Sequence, residues 1–174
     1  MDDKGKNIVL IGFMGCGKTS VGIKLSYRLH LPVADTDKMI EQRQGRSISD
    51  IFAEEGEEAF RQMETELLRE IAEKNYERIL SVGGGTPVRE ENRELLGRCG
   101  TVVYLRAKPE TIYERLKDDT TRPLLQCEDP SRRIRELLAK REEVYSGCAD
   151  VIVDVDDASM EDILDQIEGE VRKK

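Results

Sequence analysis

A chain of 174 residues has room for one domain whose core needs no disulfides. With 37% charged residues and a net charge of -8, it is suited to free solution and poorly suited to a nucleic-acid phosphate backbone. The first residues lack the apolar stretch of a signal peptide and no run approaches membrane-spanning length, so the expected location is cytoplasmic, with no membrane partner. Cys16, Cys99, Cys127 and Cys148 form no Cys-x-x-Cys pair, which argues for free thiols over a zinc site or disulfide framework.

The aliphatic run 7–11 is followed by Gly12-Phe13-Met14-Gly15-Cys16-Gly17-Lys18-Thr19 and then by Val21, Leu25 and Leu29 at helical spacing. Strand, glycine-rich turn and helix in this order form a phosphate loop, whose backbone N–H groups curl around phosphate oxygens at the positive end of the helix. Gly12, Gly15 and Gly17 supply the backbone freedom. Lys18 is placed to reach the β- and γ-phosphates, and the Thr19 hydroxyl to ligate Mg²⁺. Cys16 reads as a small neutral loop residue, with a thiol activated by the loop's positive potential as the alternative.

Further short aliphatic runs at 32–34, 78–82, 101–105 and 151–153 alternate with helical patterns, which implies a parallel sheet with ligands gathered outside the carboxyl ends of its strands. No repeat or linker divides the chain, so residues 1–174 are expected to form one unit.

Asp35-Thr36-Asp37 stands at the end of the second strand. In extended chain the two carboxylates share a side, one suited to a magnesium shell and the other to a substrate hydroxyl; a helix cap beginning near Lys38 is the plainer alternative. Ser47 caps a helix start, and a second helix carries Phe60, Met63, Leu67 and Ile71. Arg61 lies beside that stripe with Glu64 three residues on, a spacing whose ordinary meaning is an exposed ion pair of little worth. Gly83, Gly84 and Gly85 then strip side chains from the crevice rim and let a ligand approach the backbone.

Residues 117–128 are irregular and contain Arg122-Pro123, a pattern expected of a lid whose guanidinium swings onto a transferring phosphoryl group. Asp129 and Pro130 open the next helix as cap and first residue. On that helix Arg141 occupies a position of the apolar stripe marked by Ile134, Leu137 and Leu138. A guanidinium there needs an anionic partner, either a structural glutamate or a bound carboxylate, unless the turn is frayed and exposed.

Taken in order, the phosphate loop, Asp35-Thr36-Asp37, Arg61 after Phe60, Gly83-Gly84-Gly85, Thr121-Arg122-Pro123-Leu124-Leu125 and Arg141 before Tyr145 resemble the shikimate kinases over nearly the whole chain. The resemblance implies a three-layer α/β/α P-loop fold with a five-stranded parallel sheet in the order 2-3-1-4-5, an acceptor-binding region about 37–66 and a lid about 117–128. It implies ATP-dependent phosphorylation of the 3-hydroxyl of shikimate with Mg²⁺, on the way to chorismate and aromatic amino acids, by a monomer. Carried over by position, Gly12, Gly15, Cys16, Gly17, Lys18, Thr19 and Ser20 bind ATP, with Arg115 packing on adenine and Arg122 reaching the phosphates. Asp37, Arg61, Gly83, Gly84, Gly85 and Arg141 hold shikimate, Glu64 steadies Arg61, and Asp35 supports magnesium with Thr19. Lys18, Asp37 and Arg122 are the implied catalytic set. The competing readings are another small-molecule kinase, such as a gluconate or nucleotide kinase, and a GTP-dependent switch, against which the missing Asn-Lys-x-Asp stretch counts.

Overall fold

The computed structural model describes residues 4–120 and 125–173. Its centre is β1 (Asn7–Ile11), whose five residues are all buried. A strand hidden on both faces must be aliphatic throughout rather than alternating, as this one is from Ile8 to Ile11. Around it stand β2 (Val33–Asp35), β3 (Ile79–Ser81), β4 (Gly100–Arg106) and β5 (Val151–Asp154). The order is β2-β3-β1-β4-β5 with every pair parallel, as the resemblance implied.

Eight α-helices complete the described chain: α1 (Lys18–Leu29), α2 (Thr36–Gln44), α3 (Ile48–Glu55), α4 (Glu57–Glu73), α5 (Glu90–Cys99), α6 (Pro109–Leu116), α7 (Pro130–Cys148) and α8 (Met160–Arg172). The crossover from β1 to β2 runs outward in one direction and that from β3 to β4 in the other, so right-handed connections put their helices on opposite faces. Accordingly α1 and α8 pack together on one side, while α5 packs with α4 and α7 on the other. No helix among the described residues is long and apolar enough to cross a membrane.

The local signals operate as physical chemistry requires. Ser47 accepts the Asp50 N–H, and Asp129 accepts the Arg132 N–H ahead of Pro130, each satisfying a donor that the helix itself leaves open. Gly56, at φ 90, separates α3 from α4, a conformation that side chains resist. The second strand requires a correction. It ends at Asp35, which caps α2 by accepting the Lys38 N–H at 3.2 Å. Asp37 therefore lies in the first turn of a helix, not in extended chain, because a carboxylate that meets an open N–H starts the helix at Thr36 rather than near Lys38.

Register then fixes the site. Leu10 pairs with Ser81 and Ile11 with Tyr104, so the segments leaving β1 and β3 emerge side by side. The phosphate loop and the Gly83–Gly85 turn are neighbours for that reason.

Candidate active site

In the loop after β1, Gly12 has φ 150 and Gly17 φ 104. A Cβ at Gly12 would meet the Leu105 carbonyl at 2.8 Å and the Cys16 sulfur at 2.7 Å, so close backbone approach as well as dihedral freedom demands glycine. Cys16 is buried beneath the loop, with 1% of its surface exposed. This agrees with the reading of a small packing residue. All four cysteines are free thiols.

Lys18 folds back along the loop and donates to the Gly12 carbonyl at 2.8 Å and the Phe13 carbonyl at 3.2 Å. An ammonium on a flexible stem exchanges such carbonyls readily for phosphate oxygens of greater charge. Arg115, at the end of α6, donates to the Gly15 carbonyl at 3.0 Å and spreads over the loop. Below these residues lies a cleft of about 560 Å³, lined on one side by Gly15, Cys16, Gly17, Lys18, Thr19 and Ser20 and on another by Asp35, Asp37, Gly83 and Gly84. Val155, Met160 and Ile163, from the segment after β5 and the start of α8, give it an apolar wall beside Arg115.

Thr19 and Asp35 line this same cleft. Among the described residues no three or more His, Cys, Asp or Glu side chains gather as a metal site. One hydroxyl and one carboxylate nevertheless suit Mg²⁺, which keeps several waters and takes substrate phosphate oxygens in place of an all-protein cage.

Asp37 faces the rim. Its Oδ1 is buried and meets no hydrogen-bond partner among the described residues. Burial, reinforced by the Asp35 and Glu64 carboxylates and opposed by Lys18 and Arg61, pushes the carboxyl from 3.8 up to about 6. An acid so placed is poised near neutrality, a property concentrated at functional sites.

Arg61 overturns the expectation of an exposed pair. Its Nη1 donates to Glu64 at 2.6 Å, and Glu64 is only 2% exposed. The other Glu64 oxygen accepts the Thr86 hydroxyl, so the buried carboxylate is divided between a guanidinium and the turn after β3. A charge pair of this kind is costly to break, since removal of either member leaves the other buried alone.

Arg141 is half-buried on α7 with no carboxylate within ion-pair distance among the described residues. It lies 5.6 Å from the centre of the Phe13 ring, a cation–π contact, and beside the Tyr145 hydroxyl. The structural glutamate expected as its possible partner is absent from this set, and the turn is helical rather than frayed.

The Gly83–Gly85 turn gathers these groups. A Cβ at Gly83 would sit 2.8 Å from Asp37 Oδ1, one at Gly84 3.7 Å from Arg141 Nη1, and one at Gly85 2.4 Å from Arg61 Nη2. At Gly83 and Gly85 an added Cβ would displace these charged groups, whereas at Gly84 it would only touch Arg141 at ordinary contact distance. Arg61 and Arg141 are not among the residues lining the cleft; the turn connects them to it.

A family model described as shikimate kinase matches residues 14–172. The chain belongs to the shikimate kinase family. It is 43% identical over 168 residues to a shikimate kinase of Bacillus cereus (strain AH187), covering 97% of this chain and 99% of that one. It is 44% identical over 162 residues to one from Thermodesulfovibrio yellowstonii, covering 93% and 92%. Among solved structures, the shikimate kinase from Acinetobacter baumannii in complex with shikimate superposes with a TM-score of 0.88 at 36% identity, over 98% of this chain and 95% of that one. The Aquifex aeolicus shikimate kinase gives 0.81 at 36%, over 95% and 96%. A gluconokinase from Sinorhizobium meliloti, at 16% identity and a TM-score of 0.55 with 99% and 94% covered, shares the fold alone.

Most residues singled out in this shikimate kinase family member converge on the cleft and its rim. Arg122, with Thr121, Pro123 and Leu124, lies outside the described residues. Sequence reasoning missed Tyr145, Thr86 and Phe13 as parts of the site, and the wall of Val155, Met160 and Ile163. Each reads in sequence as core or turn, and only the fold brings it to the ligand side.

Proposed function

We propose that this shikimate kinase family member transfers the γ-phosphoryl group of ATP to the 3-hydroxyl of shikimate, giving shikimate 3-phosphate for chorismate and aromatic amino-acid synthesis. One observation carries the reading: the Gly83–Gly85 turn stands between the phosphate loop and a set of Asp37, Arg61 and Arg141. A substrate with a carboxylate and neighbouring hydroxyls matches two guanidinium groups and one carboxylate, while a phosphate loop within the same cleft matches the donor.

In this reading the N–H groups of the loop and Lys18 hold the phosphates of ATP, with Ser20 at its helical end. Arg115 and the apolar wall of Val155, Met160 and Ile163 flank the base. Thr19 and Asp35 would hold Mg²⁺, which would offset the charge of the phosphates. Arg61 and Arg141 take the shikimate carboxylate, Glu64 and Thr86 hold Arg61 in its rotamer, and the bare backbone of Gly83, Gly84 and Gly85 lets the ring approach. Asp37 orients the acceptor hydroxyl and accepts its proton as the new P–O bond forms and the bond from the γ-phosphorus to the departing ADP oxygen breaks. An acid raised to about 6 is ionised at neutral pH yet basic enough for this task. Arg122 is assigned to the transferring phosphoryl group by the family resemblance.

A coupled assay of ADP release with shikimate, gluconate and nucleoside monophosphates as acceptors, with and without EDTA, tests the assignment. Turnover of shikimate that depends on Mg²⁺ is expected. A higher kcat/KM for gluconate or a nucleotide would overturn the acceptor.

A further inference from the structure

Tyr145 is fully buried, and its hydroxyl donates to the carbonyl of Gly84 at 2.5 Å. It follows Arg141 by four residues on α7, so both side chains leave the same face of the helix. The carbonyl it holds belongs to the middle residue of the turn that separates Asp37, Arg61 and Arg141. A Cβ on Gly84 would lie 3.4 Å from the Gly12 carbonyl oxygen and 3.5 Å from the Met14 nitrogen, so this residue also touches the phosphate loop.

We propose that Tyr145 is a positioning residue for acceptor recognition: by tethering the Gly84 carbonyl to α7, it sets the separation between Arg141 and the turn that carries the acceptor site. The proposal rests on the reading of that site as the shikimate site. Three observations support it. A phenylalanine would fill the same core volume, so what tyrosine adds is the hydroxyl, and its acceptor is a site carbonyl rather than a core group. Burial pushes this hydroxyl up to about 12, with Arg141 pulling the other way; it remains a protonated donor throughout the working range. The ring is braced by Tyr104, at 5.1 Å between centroids, and Tyr104 is itself held by its hydroxyl to Glu142. The tether therefore has a fixed base on α7 and β4, as a group that must fix geometry requires.

Without the hydroxyl, the turn is free to drift from Arg141 while both remain folded. Contacts made equally in ground and transition states then suffer, and these appear in KM. Tyr145→Phe is expected to raise the KM for shikimate about tenfold, the scale of one lost hydrogen bond, and to leave kcat and the KM for ATP within about twofold. Hydrogen exchange should accelerate at the amides of residues 83–86, with those of α1 unchanged. Tyr27→Phe, which removes an exposed hydroxyl from α1 and touches neither Gly84 nor the aromatic pair, should leave the KM for shikimate unchanged. A KM for shikimate within twofold of the parent in Tyr145→Phe would refute the proposal. So would equal losses for shikimate and ATP accompanied by a lowered Tm, the pattern of a merely structural role. If the parent protein does not phosphorylate shikimate, the functional reading fails by itself, and the exchange measurement decides the tether: acceleration confined to the turn supports it, and unchanged exchange overturns it.

Discussion

Replacement of Asp37 by Asn should make the unliganded protein more stable and the enzyme slower. The Asp37 carboxyl is raised from 3.8 to about 6, chiefly by burial and then by Asp35 and Glu64. Because the folded value exceeds the unfolded one, the protonated group favours the fold: its contribution is full below about 3.8 and is lost as pH rises through about 6. Holding the carboxyl at about 6 instead of 3.8 corresponds to about 3 kcal/mol at full burial; with part of the side chain reached by solvent, about 1–2 kcal/mol is expected. Asparagine keeps the shape and never ionises. At pH 8 Asp37→Asn should therefore raise Tm by roughly 2–8 °C, while at pH 4 the gain should vanish. In the same variant kcat should fall by at least about tenfold, and for the parent protein kcat/KM should decline below about pH 6 as the carboxylate is protonated. Thermal unfolding at the two pH values and steady-state kinetics across pH 5–8 measure both effects. Destabilisation at pH 8, or an equal gain at both pH values, would refute the electrostatic reasoning.

Two other substitutions examine the acceptor side. Arg141→Ala should raise the KM for shikimate by about 10–100-fold, the value of a charge-assisted contact, with a smaller change in kcat; steady-state kinetics at saturating ATP separate the two. In Gly85→Ala the added Cβ would meet Arg61 Nη2 at 2.4 Å, so the guanidinium must leave its place on Glu64, and a rise of about tenfold in the same KM is expected. Gly97→Ala is its control, since a Cβ on that helical residue meets nothing within 4 Å; it should stabilise the protein by about 0.5–1 kcal/mol and leave kinetics alone.

Much of the fold was legible because its signals are local. The runs 7–11 and 101–105 are aliphatic enough to be strands buried on both faces, and Ser47 and Asp129 cap the helices that their sequences announce. The error at Asp37 arose because one residue type serves two ends: the Asp35 carboxylate that lines the cleft also accepts the Lys38 N–H and draws the helix start back to Thr36. Arg61 and Glu64 at spacing three read alike whether exposed or buried; burial came from α5 and the turn after β3, which no local pattern reveals. Tyr145, four residues past Arg141 on an apolar stripe, was indistinguishable from core packing.

The same contrast separates the two halves of the site. The phosphate half is contiguous, from Gly12 to Thr19, because phosphate is bound by successive N–H groups and one stretch of chain can supply them. The acceptor half proposed above draws Asp37 from α2, Arg61 from α4, the glycines from beyond β3 and Arg141 from α7, as a small ring with groups on several sides requires. Such a site is held by contacts that do not touch the ligand, here Thr86 on Glu64 and Tyr145 on Gly84. It also holds a carboxylate whose buried oxygen meets no donor among the described residues. In the proposed reading the acceptor hydroxyl supplies that donor, so part of the stability surrendered at Asp37 in the free protein would return on binding.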